Sequence, residues 1–431
     1  MAKVINRADG TVGFRGFSAL WAASATSNLA DGVLLVALPL TAISLRATPA
    51  AVAFVATAAG LPWVLSPIAG ALADRFDRRK MAVLGNFGRT VVMGILAMLL
   101  ATGVLTISLL TILALVLALL EVLVDSANET LLPGTVTDES IEEAIRRMRI
   151  TTTMGNLFVG PGLAGLLFAQ AALLPYVLCS AGYLICGAAE SLLEGEFRPE
   201  RTPSNIVRDL RDGIQWFAKY KLLVRLACML SVIIGAQSMV TSQLVLYAVT
   251  PGPMGLSEAG YGFLQFAAGA GGLLAGLAAK PIIQRLGRAG VLRACALAAV
   301  IMFAIPGVTA LLIPIVIGLF LGGAAEMLWI IIVRSVAQLI TPMELLGRVG
   351  SIYTLLAWGS IPVGTVLGGV IASVLGVRAV FIIAAIATVV GLLVILLPIS
   401  NRVIEKTREG GRRQNDDTHG SKSDDPMQAE D

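Results

Sequence analysis

The chain has 431 residues, of which 56% are hydrophobic and only 14% are charged, and its mean hydropathy is +0.84. This composition leaves too little polar surface to cover a soluble globule, so it indicates an integral membrane protein. The formal charge of +4 comes from basic residues spread over short connections rather than gathered on one face, which argues against a nucleic-acid partner.

Twelve apolar stretches are predicted to span the membrane, because each is about 20 residues long or longer. They cover residues 16–44, 49–73, 81–104, 107–130, 148–172, 174–192, 223–249, 259–283, 289–310, 313–338, 349–373 and 377–400. Runs of this length predict an all-α helical bundle, since a barrel would show short alternating segments. The long connection 193–222 divides the spans six and six, which predicts one bundle at 1–192 and a second at 223–400.

Charge and apolar spacing predict the topology of the connections. Apolar side chains recur at near-helical spacing among basic ones in 193–222, which predicts an amphipathic helix on the inner membrane surface. Residues 401–431 are rich in charge and predict a disordered cytoplasmic tail. Only Arg46 and Arg378 of the 32 basic residues fall in outward connections if the amino terminus is cytoplasmic. Both termini are therefore predicted in the cytoplasm and the chain in the plasma membrane.

Asp31 near the middle of span 1 is the first candidate functional residue, with Trp21, Ser24 and Asn28 at helical spacing. A carboxylate at this depth is unfavourable unless it faces water or a partner, so we interpret Asp31 as a proton or substrate site lined by Asn28. The alternative is a carboxylate that only hydrogen-bonds a neighbouring helix.

Residues 70–80, GALADRFDRRK, place six ionisable side chains between two apolar stretches, which predicts a tight aqueous turn after span 2. The small residues before it, among them Gly70, predict close approach of the helix end to a neighbour. Arg89, eight residues into span 3, either pairs with a buried acid or extends to the inner surface, and the second arrangement is preferred.

Two acids in span 4 and one in span 10 are further candidates. Glu121 and Asp125 are four residues apart and share a helix face. Glu121 is predicted to share a proton or a cationic substrate with Asp125 or Asp31, or else to be a protonated packing residue. Glu326 and Trp329 in span 10 suggest a site for an amphipathic cation, with Gln237 of span 7 as neutral lining. Simple packing is the alternative for Trp329 and Gln237.

Span 5 contains GNLFVGPGLAG at 155–165, which combines a proline with closely spaced glycines. This pattern predicts a hinge or sliding contact, or otherwise an ordinary packing seam.

The two halves of the chain also resemble each other: QRLGR at 284–288 repeats DRFDR at 74–78 with an offset of 285 − 75 = 210. This offset argues for duplication of a six-span unit, in which Gln284 replaces the acid at position 74.

The chain resembles the major facilitator superfamily through the 70–80 turn and the span-5 stretch. The turn residues matching the superfamily are Gly70, Asp74, Arg75, Arg78, Arg79 and Lys80, whereas Asp77 stands where the superfamily usually has glycine. The span-5 residues matching its drug:proton antiporters are Gly155, Gly160, Pro161, Gly162 and Gly165. LLGRVGSI at 345–352 and the segment NETLLPGTVTDE are similar to a branch with macrolide and siderophore exporters.

The resemblance implies two pseudo-symmetric six-helix bundles around a central cavity, with Asp74 and Arg78 as a latch and Asp125 as the ionic partner of Arg78. It indicates a monomeric, proton-coupled exporter of small amphipathic molecules working by alternating access. Alternatives are a lipid-moving facilitator, an uptake carrier or a non-transporting scaffold. His419, the only histidine, lies in the tail, and no phosphate loop or metal-ligand cluster is found, so neither an enzyme nor a cofactor is predicted.

Overall fold

The computed structural model describes residues 12–73, 75–131, 141–193, 214–341 and 346–402. Its regular structure is helical. The first eight α-helices are α1 (Val12–Ser44), α2 (Pro49–Gly60), α3 (Ser66–Ala73), α4 (Arg78–Ala101), α5 (Ile107–Leu131), α6 (Ile141–Thr153), α7 (Gly160–Gln170) and α8 (Leu174–Ser191). The remaining seven are α9 (Lys221–Ala248), α10 (Glu258–Leu277), α11 (Ala279–Val308), α12 (Leu312–Ile340), α13 (Leu346–Trp358), α14 (Ser360–Leu375) and α15 (Val377–Gly391).

Nine helical segments within the described ranges are long and apolar enough to cross a membrane. They correspond to the predicted spans 1, 3, 4, 5, 7, 9, 10, 11 and 12. The other three predicted spans are helical as well, at 49–73, 174–191 and 258–277, but do not reach this standard of length and composition. The all-helical membrane architecture is therefore confirmed, while the full set of twelve spans stays a prediction.

The predicted spans 2 and 5 are each interrupted next to a proline. Span 2 passes from α2 through a 3₁₀ turn, Leu61–Leu65, into α3, with Pro62 at the start of that turn. Span 5 passes from α6 through a π-helical turn, Met154–Val159, into α7, which has Pro161 in its first turn. The amide of Gly160 donates to the carbonyl of Gly155, so the backbone is wider just before the proline.

The tight turn at 70–80 has a local explanation in its sequence. Asp77 is the N-cap of α4, and its Oδ1 accepts a hydrogen bond from the backbone amide of Lys80 at 3.1 Å. An aspartate here satisfies an amide that the helix itself leaves unpaired, which accounts for Asp77 in place of glycine. A Cβ on Gly70 would meet no described atom within 4 Å, so the expected close packing there stays a prediction.

The amphipathic linker is described only at its end. Residues 214–219 are helical, and Phe217 is buried in an apolar core that includes Leu226, Leu292 and Trp329. The rings of Trp216 and Tyr220 lie 4.4 Å apart. Residues 194–213 lie outside the described residues, so the predicted inner-surface helix is tested only at this apolar end.

Contacts between helices divide the chain into two units. The first comprises Met1–Pro203, Ser238–Gly269 and Ile361–Val377, and the second comprises Ser204–Gln237, Ala270–Ser360 and Arg378–Asp431. Residues of α9, α10 and α14 therefore belong to the first unit together with α1–α8. The predicted division at the 193–222 connection stays a prediction.

Candidate functional site

A buried ion pair lies inside the first unit. Arg89 of α4 donates from Nη2 to Oδ1 of Asp31 on α1, and only 1% of the Arg89 side chain is exposed. The preferred expectation that Arg89 extends to the membrane surface is wrong. Arg89 remains inside because a guanidinium and a carboxylate compensate each other in a medium where either charge alone would be strongly unfavourable.

Two further side chains form hydrogen bonds with this pair. The hydroxyl of Tyr183 on α8 donates to Asp31 Oδ1 at 2.7 Å and lies 2.8 Å from Arg89 Nη2. The guanidinium also lies over the Tyr183 ring, with Cζ 3.9 Å from the ring centroid. Ser27 Oγ accepts from Arg89 Nη1 at 3.2 Å. Sequence reasoning missed Tyr183 because one tyrosine within an apolar helix carries no distinguishing signal.

The polar residues predicted to share the Asp31 face have different neighbours. Asn28 donates from Nδ2 to the carbonyl of Ser24 at 2.8 Å and to its hydroxyl at 3.1 Å. Trp21 donates to the hydroxyl of Thr151 at 2.8 Å. Asn28 also lies beside Gly155 of the span-5 stretch. The structure therefore directs Asp31 toward α4 and α8, and Asn28 toward span 5.

Glu121 and Asp125 of α5 lie within electrostatic range of the ion pair. Glu121 is half-buried and interacts through charge with Asp31, Arg89 and Asp125. Asp125 likewise acts on Arg89. Asp31, Glu121 and Asp125 thus all act through charge on one buried guanidinium.

The glycines of span 5 form a backbone seam with α1. A Cβ on Gly32 would lie 2.5 Å from the carbonyl oxygen of Gly155, and a Cβ on Gly160 would lie 2.6 Å from the Cα of Gly32. Gly32 directly follows Asp31 in the chain. Further along α7, a Cβ on Gly165 would lie 2.6 Å from the carbonyl oxygen of Glu258 on α10. Gly162 differs, since a Cβ there would meet nothing within 4 Å.

The residues predicted to form the gating turn are only partly described. Arg79 donates from Nη2 to the carbonyl of Ser191, the last residue of α8, where the helix dipole favours a positive charge. Arg75 is exposed. Asp74 lies outside the described residues, and the pairing of Arg78 with Asp125 stays a prediction.

The second unit contains the predicted cation site. Glu326 of α12 is exposed, and its Oε2 lies 3.5 Å from Nε2 of Gln237 on α9. Trp329 is instead 2% exposed within the apolar core, and its indole donates to the hydroxyl of Tyr353 at 3.3 Å. Glu326 and Trp329 share one helix face by spacing, yet only the carboxylate is accessible.

Comparison with solved structures defines the fold class. The chain aligns with a point mutant of the nucleoside transporter NupG with a TM-score of 0.74 and 14% identity over 89% of this chain and 100% of that one. It also aligns with a bacterial homologue of the human lysosomal transporter Spinster, in an inward-facing and unoccupied conformation. That alignment has a TM-score of 0.70 and 13% identity over 93% of this chain and 99% of that one. The protein thus has the fold of major facilitator transporters.

Sequence comparison defines the family. Residues 13–413 match the transmembrane secretion effector family, and the chain belongs to this family of major facilitator transporters. The predicted superfamily and non-enzymatic class are thereby confirmed. The chain is 25% identical over 403 residues to the multidrug efflux pump Tap of Mycolicibacterium fortuitum, covering 87% of this chain and 94% of that protein. It is also 25% identical over 431 residues to the uncharacterized MFS-type transporter YfiS of Bacillus subtilis (strain 168), covering 92% and 95%.

Proposed function

We propose that the protein is a proton-coupled exporter of small amphipathic molecules that works by alternating access. The observation that carries this proposal is the buried pair of Asp31 and Arg89 in the interior of the first unit. An ion pair buried at membrane depth is a poor source of stability, because its attraction largely offsets the desolvation of two charges. Its presence among apolar helices is better explained by a change of charge during the transport cycle.

Proton binding to Asp31 changes the hydrogen bonds of three helices at once. The protonated carboxyl no longer compensates Arg89, which then favours another anion, and Glu121 is the acid on α5 that already acts on it. Asp31 belongs to α1, Arg89 to α4 and Tyr183 to α8. Protonation therefore selects a different arrangement of these helices, which is the requirement for coupling a proton to a conformational change.

The span-5 seam connects this charge change to a larger movement. Gly32 lies against the backbone of Gly155 and Gly160, so α1 and the π-helical turn of span 5 are in direct backbone contact. A rotation or shift of α1 at Asp31 displaces the adjacent Gly32 and with it the turn before Pro161. We propose that this turn acts as the hinge, since π-helical turns and prolines are common at sites of helix bending.

Export of an amphipathic cation is favoured by two observations. The relative Tap is named a multidrug efflux pump. Glu326 is an exposed carboxylate within a mainly apolar part of α12, and Gln237 is a neutral partner that leaves its charge uncompensated. A cationic head group would pair with Glu326 while apolar side chains cover the rest of the molecule.

The coupling is tested with the purified protein in liposomes, using ethidium as the probe cation. We expect an imposed pH gradient to drive ethidium uphill in the direction opposite to proton flow. The gradient should lose its effect when the ionophore nigericin collapses it. Ethidium movement in the same direction as protons would indicate an uptake carrier, and transport insensitive to the gradient would contradict proton coupling.

Replacing Glu326 with glutamine is expected to weaken transport of cations selectively. Loss of the charge should raise the KM for ethidium about tenfold, which corresponds to about 1.4 kcal/mol of binding free energy. The KM for a neutral amphipathic substrate of similar size should change much less. The measurement is the initial efflux rate against substrate concentration. The control is Glu143→Gln, which also removes one acid but at a partly exposed position of α6. Equal weakening for both substrates would contradict a charge contact.

A further inference from the structure

A second buried carboxyl group lies along the same helices, and the mechanism above does not use it. Glu190, at the end of α8, is 0% exposed. Its Oε2 accepts from Nδ2 of Asn86 on α4 at 2.9 Å, and its Oε1 lies 3.6 Å from the thiol sulfur of Cys186. Asn128 of α5 is a further hydrogen-bond partner. Side chains from three helices thus enclose one carboxyl group.

Among the residues that the structure describes, the hydrogen-bond partners of Glu190 are all neutral. Two amides and a thiol surround it, whereas the bonds of Arg89 go to Asp31, Ser27 and Tyr183. A buried carboxylate without a paired cation is strongly unfavourable, and a protonated carboxyl is much less so. The surroundings of Glu190 therefore favour a bound proton.

The two amides provide acceptors for that proton. Oδ1 of Asn86 and Oδ1 of Asn128 are both buried and have no hydrogen-bond partner within the described part of the chain. An unpaired buried acceptor is unfavourable, so these oxygens indicate a missing donor. A half-turn of a side-chain amide exchanges its oxygen and nitrogen, so each asparagine can donate to a carboxylate or accept from a carboxylic acid.

We propose that Glu190 is a second proton-binding site of this carrier and that Arg89 couples it to Asp31. Asn86 and Arg89 are three residues apart on α4, and Tyr183 and Glu190 are seven apart on α8, so both carboxyl groups face the same contact between these helices. Arg89 acts on Glu190 through charge in addition to its pairing with Asp31. The coupling rests on the proposed proton-driven function.

The coupling follows from the charge of Arg89. While Asp31 is ionised it compensates Arg89, and Glu190 retains its proton. When a proton binds Asp31, the uncompensated guanidinium favours the carboxylate form of Glu190, whose proton leaves. One proton is bound and one is released, so the total charge along these helices is unchanged. The other ionisable groups of the described residues that face this region are Glu121 and Asp125 of α5, Cys179, Tyr183 and Cys186 of α8, and Arg79 of α4, which donates to the carbonyl of Ser191.

The protonation of Glu190 can be measured without transport. Infrared difference spectroscopy of the full-length protein in lipid detects the C=O stretch of protonated carboxyl groups and its shift in D₂O. We expect a band at neutral pH that is absent in Glu190→Gln and retained in Glu143→Gln. In Asn128→Ala the band should remain at a shifted frequency, which keeps the test informative if Glu190→Gln fails to fold. A spectrum without this band in the wild type would overturn the proposal.

The coupling between Glu190 and Asp31 is tested with the same infrared measurement on a variant of Asp31. Asp31→Asn mimics the protonated state, so the Glu190 band should disappear in that variant. Persistence of the band would leave Glu190 as an isolated protonated residue and overturn the coupling. Loss of the band on adding sodium chloride at constant pH would mean that the site takes sodium in place of a proton, which would overturn the proposal as well. A normal Glu190 band in a protein that shows no proton-coupled transport would contradict the proposed function and leave the site intact.

Discussion

Replacing Asp31 with asparagine is expected to abolish substrate-driven proton release from energised inverted membrane vesicles. Asparagine has nearly the same shape and still accepts hydrogen bonds from Tyr183 and Arg89, but it cannot bind and release a proton. If Asp31 is the coupling site, proton release should fall by at least about a hundredfold, which corresponds to about 2.7 kcal/mol. Release is followed with a pH-sensitive dye after addition of substrate.

The control for this variant addresses stability. Asp31→Asn removes the paired carboxylate of Arg89, and removing one partner of a buried pair costs up to about 3–5 kcal/mol. The double variant Asp31→Asn with Arg89→Gln removes both charges, so it should recover thermal stability and remain unable to release protons. Unchanged proton release in the single variant would contradict the assignment of Asp31.

Gly160 and Gly162 provide a matched pair for the span-5 hinge. In Gly160→Ala the new Cβ would lie 2.6 Å from the Gly155 carbonyl oxygen and from two backbone atoms of Gly32. Backbone atoms cannot move aside as a side chain does, so α1 and span 5 must separate, at a cost of about 1–3 kcal/mol. Because the same contact transmits movement from Asp31, we expect substrate efflux to fall at least about tenfold.

Gly162→Ala is the control, because its Cβ would meet no described atom within 4 Å. It lies two residues away in the same motif and makes the same chemical change. We expect near-normal efflux and a thermal unfolding temperature in detergent close to that of the wild type. Equal loss of efflux in both variants would mean that the motif acts through backbone flexibility, and the proposed contact with α1 would be wrong.

The overall fold could be predicted because membrane insertion imposes a strong and local signal on the sequence. A helix in lipid needs about 20 apolar residues, and this requirement alone locates most of α1, α4, α5, α9 and α12. The form of the helix breaks in spans 2 and 5 was harder to predict from the sequence. Pro62, Pro161 and the glycines mark places where a helix can bend, but the choice between a 3₁₀ and a π turn depends on the helices packed against them.

The candidate site was predicted in part, for reasons that differ between residues. Asp31 is recognisable because a charge in mid-span is unfavourable in any arrangement. Its partner Arg89 was misplaced because the two residues are 58 positions apart and spacing on one helix does not reveal which neighbour it faces. Glu190 was missed because it ends a span beside a charged linker, where an acid is expected to be hydrated. Its burial arises from the packing of α8 on α4, with Asn128 of α5 as a further contact, and tertiary packing of this kind is not visible in the sequence.

In the turn at the start of α4 and in its counterpart in the second half, a side-chain oxygen accepts from a backbone amide just after the turn, but the residue that supplies this oxygen comes from different parts of the chain. In the first half Asp77 caps the amide of Lys80 three residues away. With the sequence offset of 210, Gly287 is the position equivalent to Asp77. Gly287 has a φ of 69°, and it has no side chain that could cap a helix. There Asn401 supplies the acceptor, its Oδ1 lying 2.8 Å from the amide of Ala289.

This difference sets an order of assembly during synthesis. The first turn is complete as soon as a few residues have left the ribosome, since its cap is local. The second waits for Asn401, which follows the end of α15 closely and lies 112 positions after the amide that it caps. Chains emerge from the amino end, and the early part folds first. The second half therefore gains the acceptor for this turn only when translation of the membrane region has ended.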